Sequence, residues 1–192
     1  MFEFRDRHGH LGFRVRCFGM VITNMVCKYR TIFFLGMLFF TSNVFGFNYK
    51  YKEVYDFKTL DNFESVMAFE TYYESYIRDC LNSTGGGTGG IPCFIAGDIW
   101  NRELNIYYEK LISKLDNKGK ELLKETQRVW IKSRDLTLGL SGDIFWRKHQ
   151  ESGSMYQLMG AADYDSALSA IVKQRVLWLR DRLELLNLPT DE

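Results

Sequence analysis

The sequence predicts an all-α domain: about four helices in a compact bundle, with one disulfide-closed Gly-rich loop. Three observations predict it. Apolar residues recur at helical spacing through four stretches beyond residue 60. No β pattern extends past the first few residues after Gly46. Two cysteines, Cys80 and Cys93, bracket Ser83 to Gly90, where five of eight residues are glycine. Long helical stripes with short connections are the signature of a helix bundle.

The domain is expected to follow a leader. Lys28 and Arg30 form a short basic region, and Thr31 to Phe40 is an uncharged apolar run. Thr41, Ser42 and Asn43 make a polar break, and Val44 and Gly46 stand at −3 and −1 of a cut after Gly46. This is the anatomy of a secretory signal peptide, with an apolar part too short to span a bilayer comfortably. A cleaved leader is preferred over a single-pass anchor. Residues before Met25 carry four arginines and no periodic pattern, and read as an over-long start. The expected organisation is a start-plus-leader over 1–46, an extended arm over 47–59 and one helical domain over 60–192, periplasmic or secreted, without stable membrane insertion after cleavage.

Removing the leader changes the charge. Six of the 25 basic and two of the 24 acidic residues lie in 1–46, which leaves 19 basic and 22 acidic, net −3. Nucleic acid is a poor partner for such a surface, and a basic protein a better one. Cys17 and Cys27 leave with the leader, so Cys80 and Cys93 should pair in an oxidising compartment. A bridge across so short a loop contributes about 3 kcal/mol in the chain-entropy model. No metal site or cofactor is expected, since His149 is the one histidine left and no Cys-x-x-Cys or His-x-x-x-His spacing occurs.

The elements follow in order. Phe47 to Thr59 alternates aromatic and charged residues, as a short strand or an extended arm would. Phe63, Val66, Met67, Tyr73, Ile77 and Leu81 fit a helix over 60–81, entered through Asp61. The Gly-rich run lacks the Lys-Ser/Thr of a phosphate cradle and reads as a flexible loop pinned by its cysteines. Pro92 suits the first turn of a second helix, whose stripe runs from Trp100 to Leu115. A third helix runs from Lys120 through Asp135 and is expected to end near Gly139 or Gly142. A polar, aromatic connection follows from Ser141 to Gly153. Ser154 is expected to cap a long last helix with Leu158, Met159, Ala162, Leu168, Ile171, Val172, Arg175, Leu179, Leu183 and Leu186 on its stripe.

The third helix carries the most informative stretch. Gln127, Trp130 and Arg134 stand at i, i+3 and i+7, which puts an amide, an indole and a guanidinium on one face. Unpaired, such groups cost roughly 2–7 kcal/mol each on burial, so the stretch implies partners elsewhere in the fold. It reads as a buried network that fixes helix packing, with a recognition site as the sharper alternative.

The ordered set Cys80-Leu81, the Gly-rich run, Cys93, Leu104-Asn105-x-x-Tyr108, Gln127-x-x-Trp130-x-x-x-Arg134-Asp135, Gly153-Ser154 and Arg175-x-x-x-Leu179 resembles the LprI-type lysozyme-inhibitor-like family of small exported bacterial domains. The resemblance covers roughly residues 73–186. It extends the structural polar network to Asn105, Tyr108, Gln127, Trp130, Arg134, Asp135 and Arg175, with Asn105 and Asp135 expected to partner Arg134. The chain departs from the family where relatives commonly carry a second cysteine pair. Those positions read Leu138 and Ala167, so packing is expected in place of the bridge.

The resemblance implies a non-catalytic binding protein that inhibits lysozyme or a related cell-wall hydrolase. By analogy with inhibitors of other folds, exposed residues of the Gly-rich loop or of Trp146, Arg147, Lys148 and His149 are the candidate contacts toward a hydrolase's two carboxylates. The alternative is an envelope interaction module or immunity protein without hydrolase inhibition. An enzyme is the least supported class. No Ser/His or Cys/His set is visible, and Glu103 with Asp98 or Asp135 is the one carboxylate pairing to consider.

Overall fold

The protein is seen here in a computed structural model that describes residues 49–149 and 153–187. The leader expected over 1–46, its cleavage point and the start of the arm lie outside the described residues. Among the described residues there is no strand, and no helix is long and apolar enough to cross a membrane.

Ser65 accepts a hydrogen bond from the Ala68 N–H and starts α1, Val66–Ser83. The helix therefore begins later than Asp61, where the sequence pattern put it. Asp61 is occupied elsewhere: its carboxylate takes the Tyr107 hydroxyl and the Lys110 ammonium. The chain before α1 forms two short 3-10 turns, Val54–Asp56 and Leu60–Asn62.

Beyond α1, Gly85, Gly86 and Gly87 adopt φ of 69°, 82° and 59°, a left-handed succession that residues with a Cβ rarely enter. This turn feeds a 3-10 segment, Gly87–Cys93, and Cys80 and Cys93 are bridged with Cα atoms 5.7 Å apart. Pro92 belongs to that segment rather than to the next helix. The second helix, α2, spans Ala96–Lys114. Its start has no cap of its own, and Asp165 of the last helix supplies one, accepting from Gly97 N–H at 2.8 Å and Ala96 N–H at 3.3 Å.

The third helix, α3, spans Asn117–Lys148, with the Asp116 carboxylate capping Gly119 N–H at 2.7 Å. It passes through both Gly139 and Gly142, where the pattern suggested an end, and absorbs most of the expected connection. A helical glycine costs about 1 kcal/mol relative to alanine, which does not break a helix whose packed face continues. Leu138 is buried beyond Asp135, and Arg147 and Lys148 complement the carboxyl-terminal end. Ser154 is the first residue of α4, Ser154–Asn187.

The core lies where α1, α2 and α4 meet. Phe69, Ile99, Trp100, Val172, Val176 and Leu179 are completely buried. Phe69 meets Trp100 edge-on at 5.3 Å, and the Trp100 indole N–H donates to the Tyr73 hydroxyl at 2.9 Å. Val176 joins Leu168, Val172 and Leu179 on the α4 stripe, whereas Met159 and Leu186 stay exposed. In contrast, α3 buries only Leu123 and Leu138 along its length. It runs beside α4 rather than through the core.

Candidate functional site

Two segments singled out from sequence, the Gly-rich loop and the region around Trp146, converge on one end of α4. A Cβ at Gly87 would stand 3.4 Å from Ser154 Oγ, and one at Gly90 would stand 2.9 Å from Leu158 Cδ1. On the other side, a Cβ at Gly160 would come within 2.7 Å of Trp146 Cζ2, so the indole lies directly on the α4 backbone there. The first two turns of α4 are thus flanked by the loop and by the end of α3. Tyr51 ties the loop down further, its hydroxyl donating to the Gly89 carbonyl at 2.8 Å.

This tip is aromatic and basic. Phe145 meets Trp146 edge-on at 5.1 Å and the His149 ring at 4.7 Å, and His149 faces Tyr156 at 6.0 Å. Trp146 is 48% exposed despite its contact with Gly160. Arg147 projects outward and pairs with Asp143 at 2.6 Å. Lys148 is exposed and His149 is half-buried. Below the tip, a cavity of about 60 Å³ is lined by Leu138 and Ala167 among others. The two positions where the resemblance calls for a second cysteine pair therefore face one space between α3 and α4.

The polar stretch of α3 meets α4 one level further down. Arg175 donates through Nε to Gln127 Oε1 at 3.0 Å and through Nη2 to Thr126 Oγ1 at 3.3 Å. Burial pulls the Arg175 guanidinium below its ordinary pKa. The Trp130 ring has Arg134 on it at 5.4 Å and Arg175 at 5.9 Å. Arg134 takes Oδ1 of Asp135 through Nε and Nη2, at 2.8 and 2.7 Å. Asn105, expected as a partner of Arg134, is exposed on α2, and Tyr108 is only partly buried against the core. Their motif spacing reflects α2's own faces; the guanidinium instead finds the acceptor beside it in the chain.

Sequence reasoning missed the strongest polar anchor. Glu103, considered above as a catalytic carboxylate, is completely buried. It accepts from Leu60 N–H at 3.1 Å and from Arg102 Nε and Nη2 at 3.1 and 2.6 Å. Arg102 in turn donates to the carbonyls of Val54, Phe57 and Lys58 at 2.7, 2.7 and 2.9 Å. Together the pair fastens the turns before α1 onto α2. The available signal was Arg102-Glu103 embedded in the apolar α2 stripe. Asp61 belongs to the same fastening. Burial pushes its carboxyl up, but the Lys110 and Tyr107 hydrogen bonds outweigh that and hold it below the usual carboxylate range.

Among the described residues, no group of His, Cys, Asp and Glu could hold a metal ion. Residues 95–179 match the sequence model of the family described as Lysozyme inhibitor LprI. The match runs from the start of α2 through all of α3 into α4, a shorter reach than the resemblance over 73–186 suggested. No curated protein and no solved structure matches the chain.

Proposed function

We propose, from the premise that residues 95–179 form an LprI domain, that this chain is an exported, non-catalytic protein that occupies a lysozyme or related cell-wall hydrolase. The observation that carries the reading is the family match itself, which takes in all of α3, the start of α4 and the exposed residues around Trp146. A hydrolase of this kind works with two carboxylates flanking the scissile bond. A partly exposed indole beside Arg147 and Lys148 suits such a cleft. The ring covers apolar surface, and a cation exchanges its pairing with Asp143 for the enzyme's carboxylates. The bridged Gly-rich loop, seated against α4, supports the tip from the opposite side. The Gln127, Trp130, Arg134 and Arg175 set serves packing between α3 and α4 in this reading.

The test is lysis of cell-wall substrate by several lysozyme types with the purified protein at stoichiometric excess. Inhibition that Arg147→Glu weakens at least tenfold, with melting temperature preserved, is the expected result. Undiminished lysis by every type would reject the inhibitor. A pull-down from envelope extract that returns a partner other than a muramidase would then favour the interaction-module alternative.

A further inference from the structure

The bundle carries a second feature far from the tip, a concave apolar groove of about 380 Å³ where the ends of α2 and α4 meet the start of α3. Leu111 and Leu123 are buried beneath it, at 3% and 5% exposure. Leu122, Leu185 and Leu186 wall it and are half or more exposed. Singly scattered surface leucines need no explanation, but these face one another across a shared hollow. Its volume falls within the roughly 300–1,000 Å³ typical of small-molecule sites.

The electrostatics of the rim name the ligand class. Among the lining residues, Arg182 is the one charged side chain. Beside it the Trp178 ring has Arg182 at 6.0 Å and, outside the lining, Arg175 at 4.6 Å, whose guanidinium already donates to Gln127 and Thr126, so Arg182 is the guanidinium at the edge of an otherwise apolar hollow. Arginine's planar fork matches a carboxylate with two parallel hydrogen bonds. We propose that this groove binds a free single-chain fatty acid, its alkyl chain lying along Leu122, Leu185 and Leu186 and its carboxylate on Arg182. A folded protein segment would need a larger surface, and a bilayer would meet a hollow rather than a projecting apolar face.

The test is titration of the whole protein with dodecanoate below its micellar concentration, following tryptophan emission, with Trp178→Phe to assign the signal. Dodecanol and dodecylammonium serve as head-group controls. Saturable one-to-one binding of dodecanoate, at least tenfold tighter than dodecylammonium, is expected. Arg182→Glu should invert that preference, and Leu122→Trp, which fills the groove from an exposed position, should weaken binding at least tenfold. Circular dichroism checks that both variants fold. Absence of saturable binding, equal affinity for the cationic amphiphile, or binding to phosphatidylglycerol vesicles without binding to monomeric dodecanoate would each overturn the proposal. None of these readouts involves a hydrolase, so the outcome is independent of the inhibition assay.

Discussion

Replacing Glu103 by alanine should detach the turns before α1 from α2. The carboxylate is completely buried and accepts three hydrogen bonds, one from the Leu60 backbone and two from Arg102. Removing one partner of a buried ion pair costs about 3–5 kcal/mol. Here Arg102 keeps the carbonyls of Val54, Phe57 and Lys58, so its charge is not left without acceptors. The stranded Leu60 N–H adds about 1–3 kcal/mol of its own within that total. We therefore expect the low end, about 3 kcal/mol. For a domain of this size that lowers the melting temperature by about 6–12 °C, at roughly 2–4 °C per kcal/mol. Glu103→Gln keeps an acceptor for Leu60 and should lose about half as much. Hydrogen exchange gives the spatial readout: the amides of Phe57, Leu60 and Asn62 should exchange faster while those of α4 hold. A Glu103→Ala protein melting within 2 °C of the parent, or one with those amides still protected, would refute the reasoning.

Arg134→Ala should cost about 1.5–3 kcal/mol, since its side chain is only 12% exposed and lies on the Trp130 face, while its acceptor Asp135 is 59% exposed and stays solvated when the arginine is lost; a melting temperature within 2 °C of the parent would refute this. Stability from Asp61, whose folded pKa is held below 3.8, is fully present above that value and lost as pH falls through the lower one, so Asp61→Asn should flatten the acid limb of a stability–pH curve. The Cys80→Ser/Cys93→Ser double variant should lose about 3 kcal/mol in chemical denaturation. In the parent, both cysteines are completely buried, so thiol labelling after reductant should track global unfolding, and rapid labelling of the folded protein would contradict this.

Local chemistry alone determined much of this molecule. The periodicity of α2 and α4 is strong enough to name Trp100, Leu104, Leu111, Leu168, Val172 and Leu179 as core, because 3.6-residue spacing and burial are one constraint on a helix that packs on one face. The pairing of Cys80 with Cys93 was legible too, since a short glycine-rich run between two cysteines leaves little else for an oxidised thiol to meet. What needed the tertiary structure is where polar groups find partners. Asp61 reads as a helix cap but serves Tyr107 and Lys110, and the cap of α2 comes from Asp165, nearly seventy residues away. Glycines at 139 and 142 look like an end to α3, yet the helix continues, because contact with α4 offsets their small intrinsic cost. The tip is likewise a product of folding. The Gly87–Gly90 loop and Trp146 are far apart in the chain, and only their close approach to the first turns of α4, the loop at Ser154 and Leu158 and the indole at Gly160, brings them to one end of that helix. Helical period is written in neighbours three and four residues apart; a hydrogen-bond partner is chosen by whichever donor or acceptor the packed helices leave within reach.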